Sequence, residues 1–298
     1  MNLGSVARKA VGEVFEGRFI RRLQQFGRAA LEELPAQWKG PRCVLPDFFI
    51  VGAMKSGTSF LFWVLRQHPQ VVGSLRKEVN YFNLRYWHSL NWYRAQLPAV
   101  KEVQARTRET GLPTLAGEAS LYMQYPHAAR RIARHLPRAK IIILLRNPVE
   151  RTISDYHHMV RLGHETLSFE AAIAAEASRL QGEGDNSPAV IHGYTARSVY
   201  VHQVAEFYKH FPREQILVLP SETLYADPIA VGGSVQSFLG LQPRPPRAIR
   251  RINSGKYTPP HGPVMDYLRS YFKPHNERLY EFLGVDFGWD RPSGAAAA

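Results

Sequence analysis

Two stretches of the chain carry residues whose types and spacing suit anion chemistry. The first, from Phe48 to Ser59, reads FFIVGAMKSGTS. Gly52 and Gly57 keep the glycine spacing of a phosphate-binding loop, G-x-x-x-x-G-K-[ST]. Thr58 stands where that loop carries its lysine, and Lys55 lies inside the loop instead. Glycine lets the backbone bend tightly and approach an oxyanion. Thr58 and Ser59 add hydroxyl donors where the next helix exposes its free N–H groups. A lysine inside the loop meets a group on the near side of the bound phosphate, which suits a short nucleotide with the transferred group beside Lys55. The second stretch, KIIILLRNP, ends an apolar run with Arg146. A magnesium-dependent P-loop enzyme wants an aspartate at such a strand end. An arginine holds no metal but forks onto a phosphate. Ser154, in the segment that follows, adds a hydroxyl. Two phosphate sites without a metal aspartate suggest a nucleotide with phosphates at both ends.

The elements that must position these residues alternate along the chain. DFFIVGA reads as a strand, SFLFWVLRQHP as a helix closed by Pro69, and PQVVGS as a short strand. KIIILL has the continuous apolar character of a buried parallel strand, with VERTISDYHHMVRL a helix after it. Ser168 can cap FEAAIAAEASRL. SVYVHQVAEFYKHF reads as a helix, QILVLP as a strand and PIAVGGSVQSFLGL as a helix. Repeated strand-then-helix order implies an α/β, P-loop-like three-layer fold with a central parallel sheet flanked by helices. Residues 46–298 form that domain. Residues 1–45 differ: Val11, Val14, Phe15, Leu23, Phe26 and Ala30 recur at roughly helical spacing among Arg18, Arg21, Arg22 and Arg28. They read as a basic amphipathic extension that packs on the domain, with peripheral membrane contact through residues 1–30 as the alternative.

Composition bounds the rest. The 298 residues carry 38 Lys and Arg against 25 Asp and Glu, a net charge of +13, and the pI is near 10.0. Such a balance favours an anionic partner or a well-solvated basic surface. Cys43 is the only cysteine, which excludes an intrachain disulfide and thiolate metal clusters. The longest apolar runs, FLFWVL and IIILL, fall short of the about 18 residues that span a bilayer. With no signal-peptide pattern at the N-terminus, a cytoplasmic protein is expected.

Taken in order, PDFFIVGAMKSGTSFLFWVL, KEVNYFN and KIIILLRNPVERTISDYHH resemble the sulfotransferases that use 3′-phosphoadenosine 5′-phosphosulfate (PAPS), above all the heparan sulfate N- and O-sulfotransferase branch and its soluble bacterial relatives. The resemblance runs over about residues 46–290 and takes in SVYVHQVAEFYKHFPREQILVLPSE and YFKPHNERLYEFLGVDFGW. It implies transfer of a sulfuryl group to an acceptor hydroxyl or amine, of a glycan, lipid or small metabolite, without metal and with 3′-phosphoadenosine 5′-phosphate (PAP) as product; nucleic acid is not expected as a partner. By the resemblance, Lys55, Ser56, Gly57, Thr58 and Ser59 bind the 5′-phosphosulfate, while Arg146 and Ser154 hold the 3′-phosphate. Gly255, Lys256 and Tyr257 of NSGKY belong to a loop closing over the nucleotide, with Arg251 a weaker candidate, and Tyr200 lies near it. Glu78 in KEVNYF takes the place of the general base, with Lys77 beside it at substrate or sulfate. GEASLYM keeps Ser120 and Tyr122 of the family's S-P-x-Y segment without its proline; Ser120 is a candidate at the acceptor site, and Glu118 there is a second acidic candidate. The choice of base between Glu78 and Glu118 stays open, with His192 a minor third.

Those roles also make chemical sense. The acceptor oxygen must lose a proton as it attacks in line, which a carboxylate can take. A lysine can neutralise charge on the bridging oxygen of the departing nucleotide. His157 and His158 are adjacent on a helix and cannot face one metal together. The aromatic run from Tyr86 to Tyr93 reads as core, with stacking against an acceptor ring as the alternative. Two rivals remain on the residues alone. A nucleotide kinase with a divergent loop lacks the lysine after Gly57 and the strand-end aspartate. A non-catalytic basic binding module explains the charge but not two separated phosphate sites.

Overall fold

A computed structural model of the chain describes residues 32–181, 189–249 and 260–291. The segment through residue 31, and the nucleotide-loop candidates Arg251, Gly255, Lys256 and Tyr257, lie outside the described residues.

The strands are β1 (Phe48–Gly52), β2 (Val71–Gly73), β3 (Leu115–Ala119), β4 (Lys140–Leu145) and β5 (Ile216–Pro220). They form one sheet in the order β2-β3-β1-β4-β5, and every pairing is parallel. The inner position of β1 explains why all its residues are apolar or glycine and all are buried. Its side chains alternate between faces, as the strand pleat dictates. Phe48 and Ile50 join Ile142 and Leu144 under the helices Thr58–Leu65 and Pro228–Leu239, through Leu61, Leu65, Val231 and Val235. Phe49 and Val51 join Ile141 and Ile143 on the other face, under the helices Pro126–His135 and Tyr200–Tyr208, through Ala129, Ile132, Val204 and Phe207. The result is the three-layer arrangement expected from the alternation of strands and helices.

Strands read from continuous apolar runs fall where expected; β3 does not, because Leu115–Ala119 reads LAGEA. Gly117 is required there: a Cβ at that position would lie 2.2 Å from the Phe48 ring. The long helix Pro263–Leu283 contains Pro274, which as sequence argues against a continuous helix. The helical segment over residues 32–39 packs on the domain. Ala36 is part of the main core, and Glu33 accepts from the Ser89 amide at 2.9 Å.

Candidate functional site

Because β1 and β4 are neighbours in a parallel sheet, their carboxyl ends open side by side, the usual place for a ligand in such a fold. The Ala53 amide donates to the Leu144 carbonyl, so the glycine loop leaves β1 next to the turn that carries Arg146. The strand register is irregular between Ile50 and Gly52, where the loop departs. Here the structure forms a cleft of about 880 Å³ lined by Lys55, Gly57, Thr58, Ser59, Arg146 and Ser154, with Lys77 and Glu78 on another wall.

The loop is built to leave donors unused. Gly57 is the N-cap of the helix Thr58–Leu65 at φ 89°, with no side-chain oxygen closing the helix end. The first N–H groups of such a helix have no intrahelical acceptor. Ser56 is fully buried, and its hydroxyl has no hydrogen-bond partner among the described residues. Burial pulls the Lys55 ammonium below its ordinary value, and the nearby Arg161, Arg146 and Arg151 add to the effect while Asp155 opposes it. Glycine turn, open helix end, orphan hydroxyl and crowded cations together fit an anionic group such as a phosphosulfate.

Arg146 is fixed from behind. Its carbonyl accepts from the Tyr200 hydroxyl at 2.8 Å, and its guanidinium lies 3.3 Å from Glu150. Asn147 caps the helix Pro148–Arg161 by accepting from the Val149 and Glu150 amides. That helix carries Ser154 one turn before His158 and two turns before Arg161, and all three line the cleft. His158 and Arg161 have no place in the reading of the residues as a site; their helical spacing from Ser154 was the available signal. Burial lowers the His158 ring's proton affinity, and Lys55 and Arg161 push the same way. Tyr200, expected near the nucleotide, is not among the cleft-lining residues. It is 2 % exposed and reaches the site through Arg146.

Both walls of the cleft contain unusual backbone. Among the described residues, three non-glycine residues have positive φ: Lys55 (68°), Glu78 (60°) and Asn80 (55°). All three line the cleft. Left-handed backbone costs a non-glycine residue about 1–2 kcal/mol, and such strain gathers at functional sites. Glu78 keeps 43 % of its side chain exposed and pairs with Lys77 at 2.5 Å.

Glu118 and Ser120, expected at the acceptor, are placed elsewhere. Glu118 is 0 % exposed and Ser120 2 %, and neither lines the cleft. Burial raises the Glu118 carboxyl, against hydrogen bonds from Ser120, Tyr93 and Tyr122. His192 also stands off the cleft, with its Nε2 3.1 Å from the His164 carbonyl. Trp92 and Tyr93 of the aromatic run are core, whereas Trp87 is exposed. Among the described residues no cluster of His, Cys, Asp and Glu could hold a metal ion, and no helix is long and apolar enough to cross a membrane.

A parallel sheet with a glycine loop at β1, an arginine at the end of the neighbouring strand and a carboxylate across the cleft defines a P-loop-like group-transfer enzyme. The Sulfotransferase domain family matches residues 45–254; the chain belongs to that family and is a sulfotransferase. A solved sulfotransferase from Alicyclobacillus acidocaldarius is 32% identical with a TM-score of 0.65, over 83% of this chain and 100% of that one. The membrane-associated sulfotransferase kil1 of Dictyostelium discoideum is 27% identical over 84% of this chain and 68% of its own length. The heparan sulfate glucosamine 3-O-sulfotransferase 6 of Mus musculus is 28% identical over 82% of this chain and 74% of its own.

Proposed function

We propose that the enzyme transfers a sulfuryl group from PAPS to an acceptor hydroxyl, of a carbohydrate in the first instance, with an amine as the lesser alternative. The observation that carries the reading is the convergence on one cleft of Lys55, Arg146 and Glu78, brought from β1, β4 and the segment after β2. PAPS supplies an activated sulfuryl group and leaves as PAP. The residues Lys55 to Ser59 would hold its 5′ end through loop amides, hydroxyls and the lysine. Arg146 and Ser154 would hold the 3′-phosphate, and Gly255, Lys256 and Tyr257 are assigned to the nucleotide by the family resemblance.

Glu78 is the general base of this reading: an exposed carboxylate on the cleft wall can reach an acceptor oxygen and take its proton. Lys77, paired with it, orients the carboxylate and adds positive charge near the transferred group. Lys55 offsets negative charge that gathers on the departing nucleotide. None of these roles calls for a metal ion. The carbohydrate preference rests on the likeness to the heparan sulfate glucosamine 3-O-sulfotransferases. A lipid or secondary-metabolite hydroxyl is the second reading, favoured by Leu84 and Leu162, which line the cleft while more than half exposed.

The first test is calorimetric titration with PAP in EDTA, comparing the wild type with Arg146→Ala. Micromolar binding that the variant loses supports the donor. Binding of ATP only with magnesium would overturn it in favour of a kinase. Transfer from PAPS is then screened against a heparan-type oligosaccharide, an alkyl glucoside and a simple phenol, which separates the two acceptor readings.

A further inference from the structure

We infer that buried Glu118 is a positioning residue that sets the conformation of the segment carrying Glu78; the inference rests on the reading of Glu78 as the base. Three hydroxyl groups converge on the Glu118 carboxyl. Tyr93 and Ser120 each donate to it, and Tyr122 donates at 2.9 and 3.2 Å to its two oxygens. Two of these hydroxyls are also acceptors for main-chain amides across the wall. Ser120 Oγ accepts from the Asn80 amide at 3.1 Å, and Tyr122 Oη accepts from the Tyr81 amide at 3.1 Å. The third, Tyr93, stacks on the Tyr81 ring with centroids 4.5 Å apart.

A hydroxyl has one proton to give. With that proton directed at Glu118, the lone pairs of Ser120 and Tyr122 are left for the amides of Asn80 and Tyr81. Glu118 therefore fixes the hydroxyl orientations on which both amide bonds depend. Those amides lie just beyond Glu78, in a segment where Glu78 and Asn80 both have left-handed backbone. The Glu78 amide itself donates to the Ala119 carbonyl at 2.9 Å, one residue from Glu118. Such a backbone persists only where its surroundings over-determine it, and the carboxyl at the end of β3 is what the surroundings converge on. A carboxylate needs no access to the cleft for this work, which accounts for an acidic side chain buried in an aromatic core.

Glu118→Gln tests this with almost no change in volume. One acceptor oxygen becomes an NH2 donor. At the Oε1 position it faces Ser120 and Tyr122, whose protons must then turn toward the Asn80 and Tyr81 amides, whereas at the Oε2 position it faces Tyr93. Glu118→Leu, which removes both acceptor oxygens, covers the second case. Amide hydrogen exchange is followed residue by residue in the full chain, alongside PAP titration and steady-state transfer to the acceptor turned over fastest in the panel above. The expected result is exchange about tenfold faster at Asn80 and Tyr81, with β1 and β4 unchanged. PAP affinity and the KM for PAPS stay within about twofold, and kcat falls about tenfold or more. Ser120→Ala and Tyr122→Phe serve where the glutamine variant folds poorly, each loosening only its own amide. Wild-type exchange and kcat in both Glu118→Gln and Glu118→Leu, or faster exchange spread evenly over the sheet, overturns the inference. Glu78→Gln is the control: lost transfer with unchanged protection at Asn80 and Tyr81 is expected. Retained transfer there would remove Glu78 as base while leaving the exchange result to decide the role of Glu118.

Discussion

The Tyr200 hydroxyl donates to the main-chain carbonyl of Arg146 at 2.8 Å, tying the first residue of the helix Tyr200–Tyr208 to the end of β4. The bond makes a tyrosine outside the cleft part of the arginine's support. Tyr200→Phe keeps the ring in the core and removes one neutral hydrogen bond, a net loss of about 1 kcal/mol. PAP affinity should fall roughly fivefold, against about a hundredfold for Arg146→Ala, which removes a charge-assisted contact. Equal losses in the two variants, by calorimetry, would place Tyr200 on the nucleotide itself.

Gly57 tests the loop. At φ 89° it sits where a side chain is strained, and a Cβ would lie 3.0 Å from the Tyr225 hydroxyl and 3.3 Å from Leu224 Cδ2. Gly57→Ala should lower Tm by roughly 3–8 °C and weaken PAP binding as well. Gly111→Ala is the matching control: Gly111 has φ 68° and nothing within 4 Å of its Cβ position. It should lose comparable stability with PAP affinity intact. Equal affinity losses in both variants would mean that global destabilisation, not loop geometry, sets binding.

What the residues revealed in advance, and what they hid, follows from how each signal is made. β1 and β4 declare themselves because an inner parallel strand is apolar on both faces. The glycine loop and Arg146 follow from them, since a motif at a strand's end is read with the strand. β3 is hidden by the residues that define its role: Gly117 makes room for Phe48, and Glu118 collects three hydroxyls, so its sequence looks neither apolar nor alternating. Depth is the other hidden variable. An acidic residue beside Ser120 reads as a cleft residue, and only the packing of Tyr93 and Tyr122 around it shows that it is not. His158 and Arg161 were legible in principle through their spacing from Ser154, but that spacing has meaning only once one face of the helix is known to form the cleft wall.

Lys55 gives a pH test with a definite sign. Burial first, then Arg161, Arg146 and Arg151, hold its ammonium below the ordinary 10.5. An anion bound beside it reverses the charge balance and raises its proton affinity. PAP binding at alkaline pH should therefore take up protons, and affinity should fall as pH rises through the lowered value of the free enzyme. Calorimetry in buffers of different ionisation enthalpy measures the uptake directly. Lys55→Met should abolish it; uptake that survives this change would belong to another cleft group.

Glu165 gives a test of stability on the acid side. It follows the helix Pro148–Arg161 and adjoins His164, which lines the cleft. Burial pushes its carboxyl up, but bonds from Arg179, the Leu167 amide, Tyr194 and the Thr166 amide outweigh burial and bring it to about 2. The Arg179 contact is 2.6 Å and the Tyr194 contact 2.8 Å. A carboxyl lowered on folding stabilises the native state above its unfolded value of 4.5, and that contribution disappears as pH falls toward about 2. The shift corresponds to stability on the order of 3 kcal/mol at neutral pH. Glu165→Gln should therefore be less stable than the wild type near pH 7, and the difference should shrink steadily below about pH 4.5. Urea unfolding across that range reads the difference. A gap that stays constant with pH would show that packing of the side chain, rather than its ionised bonds to Arg179 and Tyr194, carries its contribution to stability.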